Sequence, residues 1–462
     1  MIKIFHQYAP PELPLLVLAE SAVIMLSLGT VMAWRVPHFW RSPPALAAWA
    51  ATSVLLMLVC QFCLHLRDLY DLRYHGRQSV LRLLEAFGLA TLLIACLCAS
   101  IPAMHRDGGT LAAALPAILA LVLLGRLVLE LRLRSGARGE RLLLVDSGTC
   151  LESLLQQVQK RPELRLQFLG LVADAAALPP ARASASPPWL GETADLARLA
   201  CELRPDRVVV GPPRPRHGLP MQELVAIESM GIAVETSSTL YERISGRLPL
   251  DALRPLEWRR SPSHRPEAPR LAERSVDVAG AVILLLLASP LMLLVALAVW
   301  LDSRGPILYR QERAGLGGRC FEMLKFRSMR PDAERGHGPV WARANDPRMT
   351  RVGRLIRKRH LDELPQLWNL LRGEMTLVGP RPERFAFAER LDAAIPHYQL
   401  RQAVRPGITG WAQVCYPYGC STADARAKLE FDLFYVKHLS LGLGLLVLLQ
   451  TLKIMVLGRG AR

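Results

Sequence analysis

Apolar positions along this chain come in blocks with different rhythms. Four long runs open it, at residues 15–34, 45–64, 86–104 and 111–129. Each is close to the ~20 apolar residues a helix needs to cross a hydrocarbon layer ~30 Å thick. From 141 to 257 the runs shorten. Residues 141–145, 168–172, 207–211 and 231–235 read as strands, and 151–160, 194–202 and 221–229 read as helices between them. Such alternation predicts a parallel sheet with crossover helices. A Pro- and Arg-rich stretch at about 254–270 follows, then a fifth long apolar run at 276–301, VDVAGAVILLLLASPLMLLVALAVWL. Residues 303–439 are polar and punctuated by Gly and Pro. A last apolar run, 441–457, contains Gln450, Thr451 and Lys453; it is marginal as a span and suits a helix lying in the membrane interface.

Charge gives these runs an orientation. Arg67, Arg73, Arg77 and Arg82 lie between the second and third, and Arg126, Arg132, Arg134, Arg138 and Arg141 crowd the end of the fourth. The other two loops carry only Arg35 with Arg41, and Arg106. By the positive-inside rule both ends of this bundle are cytoplasmic. Glu20, inside the first run, reads as a solvated helix-end acid, with function as the alternative that any intramembrane acid raises. The fifth run is different, because arginines flank it on both sides: Arg259, Arg260, Arg265, Arg270 and Arg274 before, Arg304, Arg310 and Arg313 after. A spanning helix would leave one cluster outside. Pro290 removes an i→i−4 hydrogen bond in mid-run and forces a kink, and Ser289 can re-satisfy the freed backbone. The expected solution is a broken helix that enters the membrane and returns to the same face.

Composition narrows the class. The 462 residues exceed one compact domain, 51% are apolar, and the formal charge is +17, with a mean hydropathy of +0.21. This balance suits a membrane protein whose charged parts face anionic lipid or an anionic substrate. No helix-turn-helix, zinc-finger or aromatic RNA-binding signature occurs, so nucleic acid is not an expected partner. The nine cysteines have neither metal nor disulfide spacing, which fits a reducing cytoplasmic face. The opening MIKIFHQYAPPELP lacks a cleavage-site pattern, so the first run is expected to be an anchor. The first turn of the α/β stretch, DSGTC, has only Gly148 where a dinucleotide site needs three spaced glycines. A degenerate, non-binding Rossmann-like module is expected there.

Candidate chemistry concentrates at 351–383, RVGRLIRKRHLDELPQLWNLLRGEMTLVGPRPE. Asp362 and Glu363 follow a basic run of Arg351, Arg354, Arg357, Lys358 and Arg359. Leu361, Leu364, Leu367, Trp368 and Leu371 recur at helical spacing, and Pro365 suits a first turn. The two carboxylates therefore read locally as helix-start acids answering the macrodipole. Fifteen Lys and Arg against eight acids between 301 and 370 form a density suited to phosphate groups and a membrane surface.

Arg274 with Asp277, Ser289-Pro290, GPILYRQERAGLGGRCFEMLKFRSMRPDAE, NDPRMTRVGRLIRKRHLDELPQLWNLLRGEMTLVGPRPE, RPGITGWAQV and KLEFDLFYVK follow one another across 274–462. In this order they resemble the monotopic polyprenol-phosphate phosphoglycosyl transferases, the bacterial sugar transferase family, in its long form with an N-terminal helical bundle. YERISGRLPLDALRPLEW, VCYPYGCS and the GAR ending resemble the subgroup of exosortase-associated exopolysaccharide clusters. The fold this implies is a membrane α-helical bundle (1–135), a degenerate Rossmann-like α/β module (140–257), a linker (258–273) and an α-rich monotopic catalytic domain (274–462). That domain comprises a re-entrant membrane helix (276–301) kinked at Ser289 and Pro290, a catalytic region (303–439) and a C-terminal interfacial helix (441–457).

The resemblance also implies an activity: transfer of a hexose-1-phosphate from a UDP-sugar to undecaprenyl phosphate, with release of UMP, as the priming step of exopolysaccharide synthesis. It makes Asp362 the nucleophile of a covalent phosphosugar intermediate and Glu363 its partner, both placed to hold Mg²⁺. Arg357 matches a position near the substrate phosphates, Pro380, Arg381 and Pro382 match the nucleotide-binding segment, and Lys325 and Arg327 are further phosphate candidates. A carboxylate attacking a diphosphate brings anion to anion, so cations must neutralise charge. The implied setting is the bacterial inner membrane, among its lipids, with the catalytic domain on the cytoplasmic face and a homodimer as assembly. Arg313 and Arg348 read as loop-holding residues, Trp411 as core or substrate platform, and His360 as an exposed bystander. A nucleotide-sugar dehydratase would need a glycine-rich turn and a Tyr-x-x-x-Lys pair, which the sequence lacks. A non-catalytic assembly scaffold on the same fold is the alternative.

Overall fold

The computed structural model describes residues 2–4, 7–9, 12–35, 43–70, 77–100, 108–134, 139–145, 151–174, 187–211, 220–253, 268–330, 346–416, 419 and 421–457. Apart from Gln7, they form two compact units that divide between Ser237 and Ser238. The DSGTC turn, most of the Pro- and Arg-rich stretch, part of VCYPYGCS and the GAR ending lie outside the described residues.

In the first unit four helices, α1 (Glu12–Arg35), α2 (Pro43–Leu66), α3 (Arg77–Ser100) and α4 (Gly108–Arg134), correspond to the four apolar runs. Helix α3 begins nine residues before the expected 86, because Val80, Leu81, Leu83 and Leu84 extend its apolar pattern ahead of the run. At 1.5 Å per residue, 24 residues reach about 36 Å, more than a bilayer core. Parts of α1, α2 and α3 are apolar enough to cross one, whereas in α4 the apolar stretch is the shorter Ala114–Val128. Ile24, Leu56, Cys60, Leu83, Phe87 and Ile118 form the buried seam, while Leu18, Leu26, Leu58, Leu92 and Leu124 point outward and are more than half exposed. Helices that are apolar on both faces belong in lipid. Glu20 is not the solvated acid that its place in the sequence suggested. It is 2% exposed, pairs with Arg126 at 2.7 Å and accepts a hydrogen bond from Tyr70 at 3.0 Å, as a charge inside a bundle must.

The α/β part of this unit is one parallel sheet. Its strands are β1 (Glu140–Val145), β2 (Leu166–Val172), β3 (Trp189–Gly191), β4 (Arg207–Val210) and β5 (Ala233–Thr236). Spatial order is β3-β2-β1-β4-β5, the doubly wound order with its switch point between β1 and β4. The fully buried runs Leu142–Val145 and Val208–Val210 are what a sheet covered on both faces requires. Helices α5 (Leu151–Gln159), α6 (Leu196–Leu203) and α7 (Met221–Ser229) connect the strands as expected. Strand β3 was illegible in sequence: it is three residues long and preceded by Pro187 and Pro188.

The second unit starts with α8 (Ser237–Ser245), although residues 238–253 read in sequence as the end of the α/β module. Its longest element is α9 (Ala268–Asp302), a 35-residue helix with Pro290 inside it, where Ser289 Oγ donates to the Leu286 carbonyl at 2.9 Å. Leu286, Leu287, Leu293 and Leu294 are each at least 65% exposed. A hairpin, β6 (Leu308–Ala314) and β7 (Cys320–Phe326), follows. Then come α10 (Arg351–Lys358), α11 (Gln366–Arg372), β8 (Thr376–Val378), α12 (Phe385–Ala394), β9 (Gly407–Thr409), α13 (Trp411–Cys415), α14 (Thr422–Lys437) and α15 (Leu441–Leu457). The last helix coincides with the last apolar run. It buries Leu443 and Val447 against Trp411, Phe434 and Tyr435 and turns Leu441, Leu445, Leu452 and Val456 outward.

Both ends of α9 are tied to other elements of this unit. Near its start, Arg274 donates to the Leu370 and Leu371 carbonyls at 2.6 and 2.7 Å, and Asp277 accepts from Thr376 Oγ1 and the Leu377 amide, both at 2.9 Å. At its end, Asp302 accepts from the Val352 amide at 2.9 Å. Val295 and Val299 pack on Phe326 and Ile356.

Candidate active site

The site is assembled around a short turn. Thr350 caps α10 by accepting from the Gly353 amide, the role Thr favours there. Gly353 lies so close to the chain just after β7 that a Cβ would come within 1.9 Å of the Ser328 carbonyl oxygen. After α10, His360 takes a left-handed conformation (φ 54°) and turns the chain into a 3₁₀ helix, Leu361–Glu363. Pro365 is then the N-cap of α11, which begins at Gln366. Asp362 and Glu363 therefore stand on a separate turn before α11 rather than in its first turn. Leu361 and Leu364 face the apolar cluster of Phe326 and Ile356, which aims the intervening carboxylates away from it.

The two acids have different surroundings. Glu363 accepts from Lys325 Nζ at 2.8 Å and is gripped by both terminal nitrogens of Arg381. Among the described residues no side chain donates a hydrogen bond to Asp362, which is 7% exposed. Burial pushes the Asp362 carboxyl up; Lys325 and Arg357 oppose that and Glu363 adds to it. Burial also acts to raise Glu363, but Arg381 and Lys325 outweigh it and hold this carboxyl well below its ordinary value. Burial lowers Lys325, against the pull of Glu363. One acid is a fixed anion between two cations, and its neighbour is a buried carboxylate without such a clamp. Adjacent carboxyls driven apart in this way can divide the work of a reaction.

Three side chains set the clamp. Asn369, fully buried on α11, accepts from the Leu324 amide at 3.0 Å and donates to the Glu322 carbonyl at 2.7 Å, so β7 presents Lys325 in register with the turn. Arg313 donates to the Pro382 carbonyl at 2.8 Å, and burial, with Arg381 nearby, lowers it to about 10. Arg401 donates to the Arg381 carbonyl at 2.9 Å and pairs with Asp432 at 2.7 Å. Gly379 and Gly407 let the Pro380–Pro382 loop approach β9, since a Cβ on Gly407 would meet the Gly379 nitrogen at 2.1 Å.

Most of the expected residues converge. Asp362, Glu363, Lys325 and Arg381 meet, Pro380 and Pro382 frame Arg381, and the charge of Arg357 reaches Asp362. Arg327 goes elsewhere: it is 5% exposed and donates to the Ser303 carbonyl and hydroxyl. Trp411 is core, 6% exposed, and His360 is an exposed turn residue. Arg348 pairs with Asp346 at 2.6 Å within its own turn. Sequence reading passed over Asn369, Arg401 and Asp432. A signal existed for Asp432 alone, an acid set between Phe431 and Leu433 in the largely apolar KLEFDLFYVK.

No group of three or more His, Cys, Asp or Glu side chains gathers as a metal cage among the described residues. Asp362 still offers an uncommitted hard oxygen donor, and Mg²⁺ needs only one or two carboxylates when substrate phosphates complete its shell.

A family model described as bacterial sugar transferase matches residues 268–458. A UDP-N-acetylgalactosamine-undecaprenyl-phosphate N-acetylgalactosaminephosphotransferase of Aeromonas hydrophila is 46% identical over 190 residues, which is 41% of this chain and 45% of that protein. An undecaprenyl-phosphate glucose phosphotransferase of Komagataeibacter xylinus is 43% identical over 196 residues, 41% of this chain and 37% of that protein. A UDP-glucose:undecaprenyl-phosphate glucose-1-phosphate transferase of Caulobacter vibrioides is 45% identical over 183 residues, 39% of this chain and 68% of that protein. The chain thus spans less than half the length of the first two relatives and about two thirds of the third. With an acid pair, a basic clamp and a membrane-suited helix all inside the matched region, this chain belongs to the bacterial sugar transferase family, the polyprenol-phosphate phosphoglycosyl transferases.

Proposed function

We propose that this protein transfers a sugar-1-phosphate from a UDP-sugar to undecaprenyl phosphate, releasing UMP, as the priming step of exopolysaccharide synthesis. The relatives named above carry such activities in their names. The observation that carries the reading is the split dyad: Asp362 is unclamped, whereas Glu363 is held by Lys325 and Arg381. In the first step an Asp362 oxygen attacks the sugar-side phosphorus, the bond to the UMP oxygen breaks, and UMP leaves with the electron pair. In the second, a phosphate oxygen of undecaprenyl phosphate attacks the same phosphorus and returns Asp362 to a carboxylate. Arg357 and Arg381 counter the charge of the diphosphate. Asp362, with Glu363 beside it, would hold Mg²⁺ together with substrate oxygens, and the ion would supply further charge neutralisation.

The reading extends to topology. A lipid-phosphate acceptor lies at the membrane surface, so the site must be held there. Hydrogen bonds at both ends of α9 to the rest of the second unit support a re-entrant helix, as do the flanking arginines. The setting is the inner membrane, with this unit on the cytoplasmic face and a homodimer as assembly.

The test is UMP release by the full-length chain in detergent with Mg²⁺ and undecaprenyl phosphate, screening UDP-glucose, UDP-galactose and their N-acetylated forms. UMP from at least one is expected, and Asp362→Asn should leave a folded protein that forms no phosphosugar adduct by mass spectrometry. An adduct on Asp362→Asn would remove Asp362 from the nucleophile role. No UMP from any donor would favour the non-catalytic scaffold.

A further inference from the structure

Residues 238–253 precede the family match at 268–458, yet they run along the whole of α14. Glu242, 2% exposed, accepts from Lys437 Nζ at 2.8 Å and lies 3.0 Å from His438 Nε2. Both side chains stand at the C-terminal end of α14, where the positive charge of Lys437 is favoured. Further along, the Gly246 carbonyl accepts from Trp411 Nε1 at 2.9 Å, Arg247 lies over the Phe431 ring at 4.4 Å, and the Leu248 amide donates to the Glu430 carbonyl at 2.9 Å. Asp251 accepts from Arg426 at 2.8 Å near the N-terminal end of the helix. The segment therefore lies antiparallel to α14, gripping it at both ends and in the middle.

Its apolar residues reach further. Leu248 and Leu250 are buried in one cluster with Tyr398, Leu429 and Leu433. The Tyr398 hydroxyl accepts from Arg401, Asp432, next to Leu433, pairs with Arg401 at 2.7 Å, and Arg401 donates to the Arg381 carbonyl at 2.9 Å. Both anchors of Arg401 thus rest on residues that this segment backs. Arg401 in turn holds the main chain of the residue that clamps Glu363.

We propose that residues 238–253 are a positioning brace for the Pro380–Pro382 loop, acting through Tyr398, Asp432 and Arg401 to fix Arg381 against Glu363. The brace rests on the reading of Arg381 as part of the site. Its geometric claim can be tested without turnover. The probes are Leu248→Ala, which opens the cluster, and the milder Glu242→Gln, each in the full-length chain. Amide hydrogen exchange is followed at Gly379, Ala314 and Gly407, which hydrogen-bond from or to the loop's neighbourhood. Leu248→Ala should speed exchange there by about tenfold and Glu242→Gln by less, with α10 and its Thr350 cap unchanged. Unchanged exchange at these amides in both variants, or an equal rise throughout the unit, would overturn the proposal.

UMP release supplies the second arm. The brace variants should reduce it by about tenfold in the native background and have no added effect in Arg381→Ala, because coupled positions are non-additive. Independent, additive losses would reduce the segment to a structural part. Were the loop to loosen as expected in a protein that releases no UMP, the brace would stand and the proposed reaction would fall.

Discussion

Asp362 and Glu363 differ by one position and one methylene, and opposite responses to mutation should expose their different surroundings. The Glu363 carboxyl is held well below 4.5, so its ionisation supports the fold above about pH 4.5 and that support is lost as pH falls. Glu363→Gln leaves Lys325 and Arg381 facing each other unneutralised and should destabilise by about 3 kcal/mol at pH 7, the cost of breaking a buried pair. It should also flatten the acid side of the stability profile. Asp362 is raised from 3.8 by burial, so its ionisation opposes folding as pH rises through that range. Asp362→Asn should therefore raise the melting temperature at pH 7 while abolishing turnover, the usual relation between a strained site and stability. Thermal melts of both variants in detergent from pH 4 to 8 check this. Equal shifts of the same sign would contradict the split. The basic run and the acid pair were legible as letters, but which acid is clamped was not. That depends on Lys325 and Arg381, 38 and 18 residues from Glu363.

At the scale of elements, Arg274 links the membrane-suited helix to the site. It donates to two carbonyls at the end of α11, groups that a helix leaves unsatisfied and negative. Arg274→Met should cost about 1–3 kcal/mol in unfolding assays. Arg274→Lys, which keeps the charge but loses the two-pronged geometry, should recover part of it. A silent Arg274→Met would show that α9 needs no such tie. Elements with clear polar flanks were legible to the residue, as with α7 and α15. The β6–β7 hairpin was not, because LYRQERA carries charged residues on both faces and shows no alternation. The short 3₁₀ turn was also hidden, since Leu361 and Leu364 fit a helical period whether or not the helix has begun.

For the whole molecule, the disposition of α9 decides where the chemistry happens. Single cysteines at Arg270→Cys and Arg304→Cys, in a chain whose nine native cysteines are replaced, should both be labelled from the cytoplasmic side by an impermeant reagent. Labelling from opposite sides would mean a spanning helix.

The sequence by itself determined the class of each region, because hydropathy period and positive charge act locally: lipid-suited runs, a parallel α/β sheet, and a basic region holding an acid pair. It also determined family membership, since the motifs are strings. Tertiary structure decided what those strings touch. It buried Glu20 against Arg126, turned Arg327 to Ser303, clamped Glu363 while leaving Asp362 unclamped, and folded residues 238–253 along α14. Each outcome depends on partners brought together from distant parts of the chain, and the low dielectric between them gives such pairings their weight. No local pattern records that.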